Sequence, residues 1–121
     1  MEDIRTQQNE VLSMASEYIE KLIPAITEIC PELSGEMKDD TVDYLMQIID
    51  GFNFMIECFN ATREIVNPDG TVIIEDALEK EVGSLGDAIR AKDYPTVAKI
   101  LEGTVTEFLK VFGQAAKEAT K

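Results

Sequence analysis

Tyr44-Leu45-Met46-Gln47-Ile48-Ile49-Asp50-Gly51-Phe52-Asn53-Phe54-Met55-Ile56-Glu57-Cys58-Phe59 is the most apolar stretch of this 121-residue chain, and its reading decides the fold. Leu45, Ile49, Phe52, Ile56 and Phe59 recur at alternating spacings of four and three, the period of one helix face. At about 100° per residue, Tyr44, Leu45, Ile48, Ile49, Phe52, Met55, Ile56, Cys58 and Phe59 fill about half of the helical wheel. An ordinary surface helix buries a stripe nearer about 100° wide. This helix must therefore be covered from more than one side.

Working outward, the helix begins near Asp39–Thr41, where short polar side chains can cap it and Asp43 adds charge at the positive end. It ends at Asn67-Pro68-Asp69-Gly70: Asn67 tolerates a left-handed cap, Pro68 sets a turn and Gly70 supplies positive φ. Upstream, Ile4, Val11, Ala15, Tyr18, Leu22, Ala25 and Ile29 predict a first helix from about Asp3, a candidate N-cap, to Ile29. Pro24 removes one backbone donor within it, so a kink or a new helix start is expected there. Pro31 and Gly35 close the segment, leaving residues 31–38 as a linker with room for one helical turn.

Downstream, Thr71–Ile74 reads as an extended entry to a third helix from about Ile74 to Ala91, whose inner face is Leu78, Val82, Leu85 and Ile89. Gly83 and Gly86 cost about 1 kcal/mol each inside a helix, which implies close approach of a neighbour or a locally soft helix. Lys92-Asp93-Tyr94-Pro95 is a tight joint with Pro95 in the first turn of a fourth helix. Tyr94, Ala98, Leu101, Val105, Phe108, Phe112, Ala115 and Ala119 keep an unbroken alternation of four and three to about Glu118. The expectation is an all-α protein: one domain over residues 1–121, an antiparallel four-helix bundle made of two helical hairpins.

Charge narrows the partners. The chain carries 24 acidic and 11 basic residues, a net −13. Residues 1–60 hold 13 acids against 3 bases, a net −10, and residues 61–121 hold 11 against 8, a net −3. Such a field repels nucleic-acid phosphates and anionic lipid and attracts basic protein segments or cations. The opening residues lack the apolar core of a signal peptide, and Gln47, Asp50, Asn53 and Glu57 interrupt the apolar stretch, so no membrane span is expected. A cytoplasmic protein with reduced Cys30 and Cys58 follows.

Chemistry is sparse. The chain has no histidine, the commonest general base and metal ligand. Glu-x-x-His pairs of di-iron bundles, a two-Cys-two-His zinc site, phosphate loops and calcium-loop spacing are all missing. Carboxylate pairs such as Glu75/Glu79 are accounted for by solvated helix faces. Cys58 lies on the apolar half of its helix, whereas Cys30, at a helix end before Pro31, is expected to be more exposed, with nothing basic nearby to activate it. No enzyme activity, cofactor or metal is expected.

A surface for a partner remains. The long apolar helix has a polar arc of Asp43, Gln47, Asp50, Asn53, Glu57, Asn60 and Glu64, and two apolar side chains intrude into it. Met46 and Phe54 stand eight residues apart with Asp50 between them on one stripe. Either the 31–38 linker or the 67–73 loop covers them, or Met46, Asp50 and Phe54 form a contact site, for a second copy or for an amphipathic helix. Spare volume near Gly51, Gly83 and Gly86 points alternatively to a small-molecule sensor or carrier with an apolar cavity between helices.

Lys92-Asp93-Tyr94-Pro95-Thr96-Val97-Ala98-Lys99-Ile100-Leu101-Glu102, together with Leu45–Phe59, resembles small acidic all-helical uncharacterised proteins of Gram-positive bacteria, some of them encoded near flagellar genes. In size, acidity and helicity the chain is also similar to bacterial flagellar export chaperones. That resemblance implies binding of an apolar helical segment of a secreted partner and carries over no functional residue, because no chaperone motif is present.

Overall fold

The half-wheel of apolar residues on the central helix is covered from two sides. The computed structural model describes residues 4–120 and consists of α1 (Ile4–Ser34), α2 (Thr41–Val66), α3 (Glu75–Arg90), α4 (Tyr94–Ile100), a π-helical turn (Leu101–Val105) and α5 (Thr106–Ala119). The last three are continuous and form the fourth rod of an all-α bundle. α1 packs along α2 and along the whole fourth rod, α2 packs on α5, and α3 packs chiefly on α4.

Specific contacts give the directions. Gln8 donates to the Ala61 carbonyl at one end of the α1–α2 pair, and Thr41 donates to Glu32 at the other, so the two run antiparallel. Cys30 lies on Ala98, and Lys117 pairs with Glu20, so α1 also opposes the fourth rod. Phe52 meets Phe108 and Phe59 meets Phe112, so α2 and the fourth rod run the same way. The tight joint at 91–93 returns α3 antiparallel to α4, with Lys92 at φ 57° making the turn.

Four phenylalanines occupy the centre. Phe108 stands edge-on to Phe52 at 6.0 Å and to Phe59 at 5.6 Å, and it stacks on Phe112 at 5.7 Å. Edge-to-face pairs of this kind add about 0.5–1.5 kcal/mol each beyond the area they bury. Leu12, Ile26, Ile29 and Leu33 of α1 and Leu101 and Leu109 of the fourth rod close the remaining core.

Several expectations are corrected. α1 runs through Pro24 and Pro31 to Ser34, without a new start at Pro24 and without a linker beginning at Pro31. Both prolines lie on the exposed face, where water can satisfy the carbonyls they leave free, while Ile26, Ile29, Cys30 and Leu33 continue the buried stripe. Asp3, the expected cap, lies outside the described residues. At α2 no aspartate side chain caps. Instead the Lys38 N–H donates to the Thr41 hydroxyl (2.8 Å), which donates to Glu32 (2.7 Å).

The alternation of four and three in the fourth rod holds through Phe108 and Phe112, both buried, and gives way at Ala115 and Ala119. A π turn takes more residues per turn than an α-helix, which aligns positions four apart. Val97, Leu101, Val105 and Leu109 accordingly form one fully buried row, Gly113 and Ala116 follow inside, and Ala115 and Ala119 rotate to half-buried positions. Thr106 stabilises the turn by donating both its N–H and its hydroxyl (2.6 Å) to the Leu101 carbonyl.

The glycines divide by role. A Cβ at Gly51 would collide with the Tyr18 hydroxyl and come within 3.1 Å of its ring carbons, so this glycine admits the Tyr18 ring between α1 and α2. A Cβ at Gly83 would meet no other side chain or neighbouring helix within 4 Å, and one at Gly86 would meet only the Arg90 guanidinium. Close helix approach is therefore not their explanation. Gly83→Ala should raise unfolding free energy by about 1 kcal/mol through helix propensity. Gly51→Ala should lose that gain to a collision worth about 1–3 kcal/mol and recover part of it when combined with Tyr18→Phe. Urea denaturation of the four proteins measures both.

Candidate partner-binding surface

The stripe Val42-Met46-Asp50-Phe54 runs along the exposed side of α2 at spacings of four, with Phe54 at the edge that meets α1. Val42 is 39% exposed, Met46 43% and Phe54 40%, so the apolar members are partly covered and still accessible to solvent. The Tyr18 ring of α1 meets Phe54 edge-on at 6.4 Å. Asp50 is exposed between Met46 and Phe54, and Asp43 and Glu57 stand exposed on the same helix. The three sequence-derived residues thus share one accessible surface, and Val42 extends it. Its spacing of four from Met46 was the signal available for including it.

Neither loop covers this stripe. The joint after α1 is drawn onto the start of α2 by the Lys38–Thr41–Glu32 bonds. The second loop is organised around Asn67, which is buried and has φ −145°, not the left-handed value expected of it. Its Oδ1 accepts from the N–H groups of Val72 (3.0 Å) and Ile73 (3.1 Å), and its Nδ2 donates to the Ile73 carbonyl (2.9 Å). Gly70 takes the expected positive φ of 69°. These bonds turn the segment towards α5, where Val72 lines two shallow clefts of about 650 and 880 Å³ that share Glu107 and Val111. Thr71–Ile74 is non-helical, and Ile74 enters α3 with an extended backbone, 59% exposed.

The apolar space expected near Gly51 is filled by Tyr18. Gly83 is exposed and Gly86 half-buried at the surface of α3. Among the described residues, no three His, Cys, Asp or Glu side chains gather as a metal site would require, and no helix is long and apolar enough to cross a membrane.

The cysteines are both buried, which corrects the expectation for Cys30. Because α1 continues past Pro31, Cys30 falls on its inner face and its thiol reaches the Ala98 carbonyl at 3.7 Å. Burial first, and then the Glu102 carboxylate, push the Cys30 thiol up to about 12. Burial and Glu57 raise Cys58 in the same direction.

Fold and surface together define a helical bundle whose exposed large apolar residues, among those described, lie on helix faces and on the 72–74 segment. The chain belongs to the family described as Domain of unknown function (DUF8042), whose model matches residues 10–115 and so spans all four rods. No curated protein and no solved structure matches it.

A thiol held protonated by burial does not react as a nucleophile. Iodoacetamide at pH 8 should leave the native protein unmodified within the time that modifies both cysteines in denaturant, as read by intact mass. A native adduct would contradict the burial described for that residue.

Proposed function

We propose that this protein is a protein-binding helical bundle of the chaperone or adaptor type, which engages an apolar helical segment of a partner along the outer stripe of α2. The exposed row Val42, Met46 and Phe54, left uncovered by both neighbouring loops, is the observation that supports it. A helix laid along α2 would set apolar side chains against that row at helical spacing. Asp43, Asp50 and Glu57 flank the row, so a partner segment with basic flanks gains Coulomb attraction there. A second copy docked through the same face would set these acids against themselves, in a chain of net −13. The partner is therefore taken to be another protein and not a homodimer mate. This agrees in kind with the resemblance to flagellar export chaperones.

The sensor or carrier reading needs an apolar space enclosed between helices. At Gly51 that space holds the Tyr18 ring, and the clefts beside the 67–74 segment lie at the surface, so partner binding is placed first.

The test is a pull-down from native lysate with the bound protein identified by mass, repeated with Met46→Glu and Phe54→Glu. Both variants should keep the native circular dichroism, with Met46→Glu losing about 1 kcal/mol of stability or less and Phe54→Glu, which also loses the Tyr18 ring pair, about 1–3 kcal/mol. They should lose the partner by at least about tenfold in affinity. Folded variants that retain every partner would sink this assignment, and light scattering that gives a dimer, abolished by the same substitutions, would favour self-association.

A further inference from the structure

α3 is the least committed of the four rods. Of its sixteen residues only Leu78, Leu85 and Ala88 are buried, and Val82 and Ile89 are half-buried. It packs chiefly on α4. It also carries two interior glycines that no neighbour explains, each a cost to helix formation. Open clefts flank it on both sides. One, of about 880 Å³, separates its first turns from the π turn and α5, and the other, of about 160 Å³, separates it from α2. α3 therefore lies in a wider groove that it does not fill.

The floor of that groove is made by Ile56 and Phe59 of α2 and Phe108 and Val111 of α5. Its rim on the fourth rod carries Glu102 and Glu107. α3 sets Glu81 in the cleft that Glu102 and Glu107 also line, and Glu79 in the cleft on the α2 side, with Lys80 as the one cation it adds there among the described residues. The ion pair that fastens its start, Arg63–Glu75 at 3.1 Å, is half-exposed on the arginine side and contributes little.

We infer that the α3 groove is a second docking site, in which a basic amphipathic helix of a partner protein displaces α3. The incoming helix carries apolar residues at the spacing of Leu78, Val82, Leu85 and Ile89 and lysine or arginine where α3 has Glu79 and Glu81. It matches the glutamate rim that α3 opposes, and without interior glycines it forms at lower cost. α3 is then a built-in occupant that keeps Phe59 and Phe108 covered until the partner arrives. The inference is independent of the α2 stripe, which lies on a different face of that helix.

The probe is a labelled peptide of residues 74–91 bearing Glu79→Lys, Glu81→Lys and Asp87→Lys, with Gly83→Ala and Gly86→Ala. These changes take the peptide from five acids and two bases to two acids and five bases, from −3 to +3. Fluorescence anisotropy measures its binding to the full chain. The wild-type protein should bind it, more weakly as salt rises. A protein carrying Gly83→Ala and Gly86→Ala holds its own α3 more firmly and should bind at least about tenfold more weakly, while Met46→Glu and Phe54→Glu should leave affinity unchanged. Failure of the wild type to bind overturns the inference. So does equal affinity for the glycine variant, since α3 is then not displaced. Loss of binding confined to the Met46 and Phe54 variants would also overturn it and would place the peptide on the α2 stripe instead.

Discussion

Phe108 is the piece on which the rest of the packing depends. It touches Phe52 and Phe59 on α2 and Phe112 one turn along its own rod, and it joins two rods that run in the same direction. In an up-down-up-down bundle such rods sit diagonally, and they meet here because four aromatic rings bridge the gap. α1 then fills the space beside both with aliphatic side chains. The π turn serves the same contact. It keeps Val97, Leu101, Val105 and Leu109 in one row facing inward, at the cost of a weaker local helix around Gly103.

What this core leaves unsatisfied is where function is sought. α2 gives its wide apolar half to α1 and α5, and the residues beyond that half, Val42, Met46 and Phe54, face outward among carboxylates. α3 receives the remainder of the groove between α2 and the fourth rod and fills it incompletely. Both features share one electrostatic character. A chain of net −13 presents apolar side chains among acids, and the proposed preference for basic helical partners over a second copy rests on that charge.

Much of this could be read from residues alone. The bounds of α2, α3 and the start of α4 follow from Pro, Gly and Asp placed around apolar periods, because those residues act locally. Met46 and Phe54 stand out in the sequence because an apolar residue on a polar arc violates its own helix, and the structure leaves both exposed with Asp50 between them. What escaped depends on other parts of the chain. Pro31 looked like a stop, yet tertiary packing of Cys30 and Leu33 carries α1 past it. Ala115 and Ala119 satisfy almost any period, so they hid the π turn, whereas the spacing of four from Val97 to Leu109 was its available signal. Gly51 reads as spare volume until Tyr18 is placed against it. The α3 groove has no local signature at all, since its floor and rim come from different rods.

The central claim is a hierarchy: α1, α2 and the fourth rod form one cooperative unit around the phenylalanines, and α3 is an addition to it. Native-state hydrogen exchange of the free protein measures this directly, helix by helix. Amides of residues 75–90 should exchange through a partial opening several kcal/mol below the global unfolding free energy, while those around Phe52, Phe59 and Phe108 exchange only on global unfolding. Exchange of α3 at the same free energy as the phenylalanine core would contradict the account.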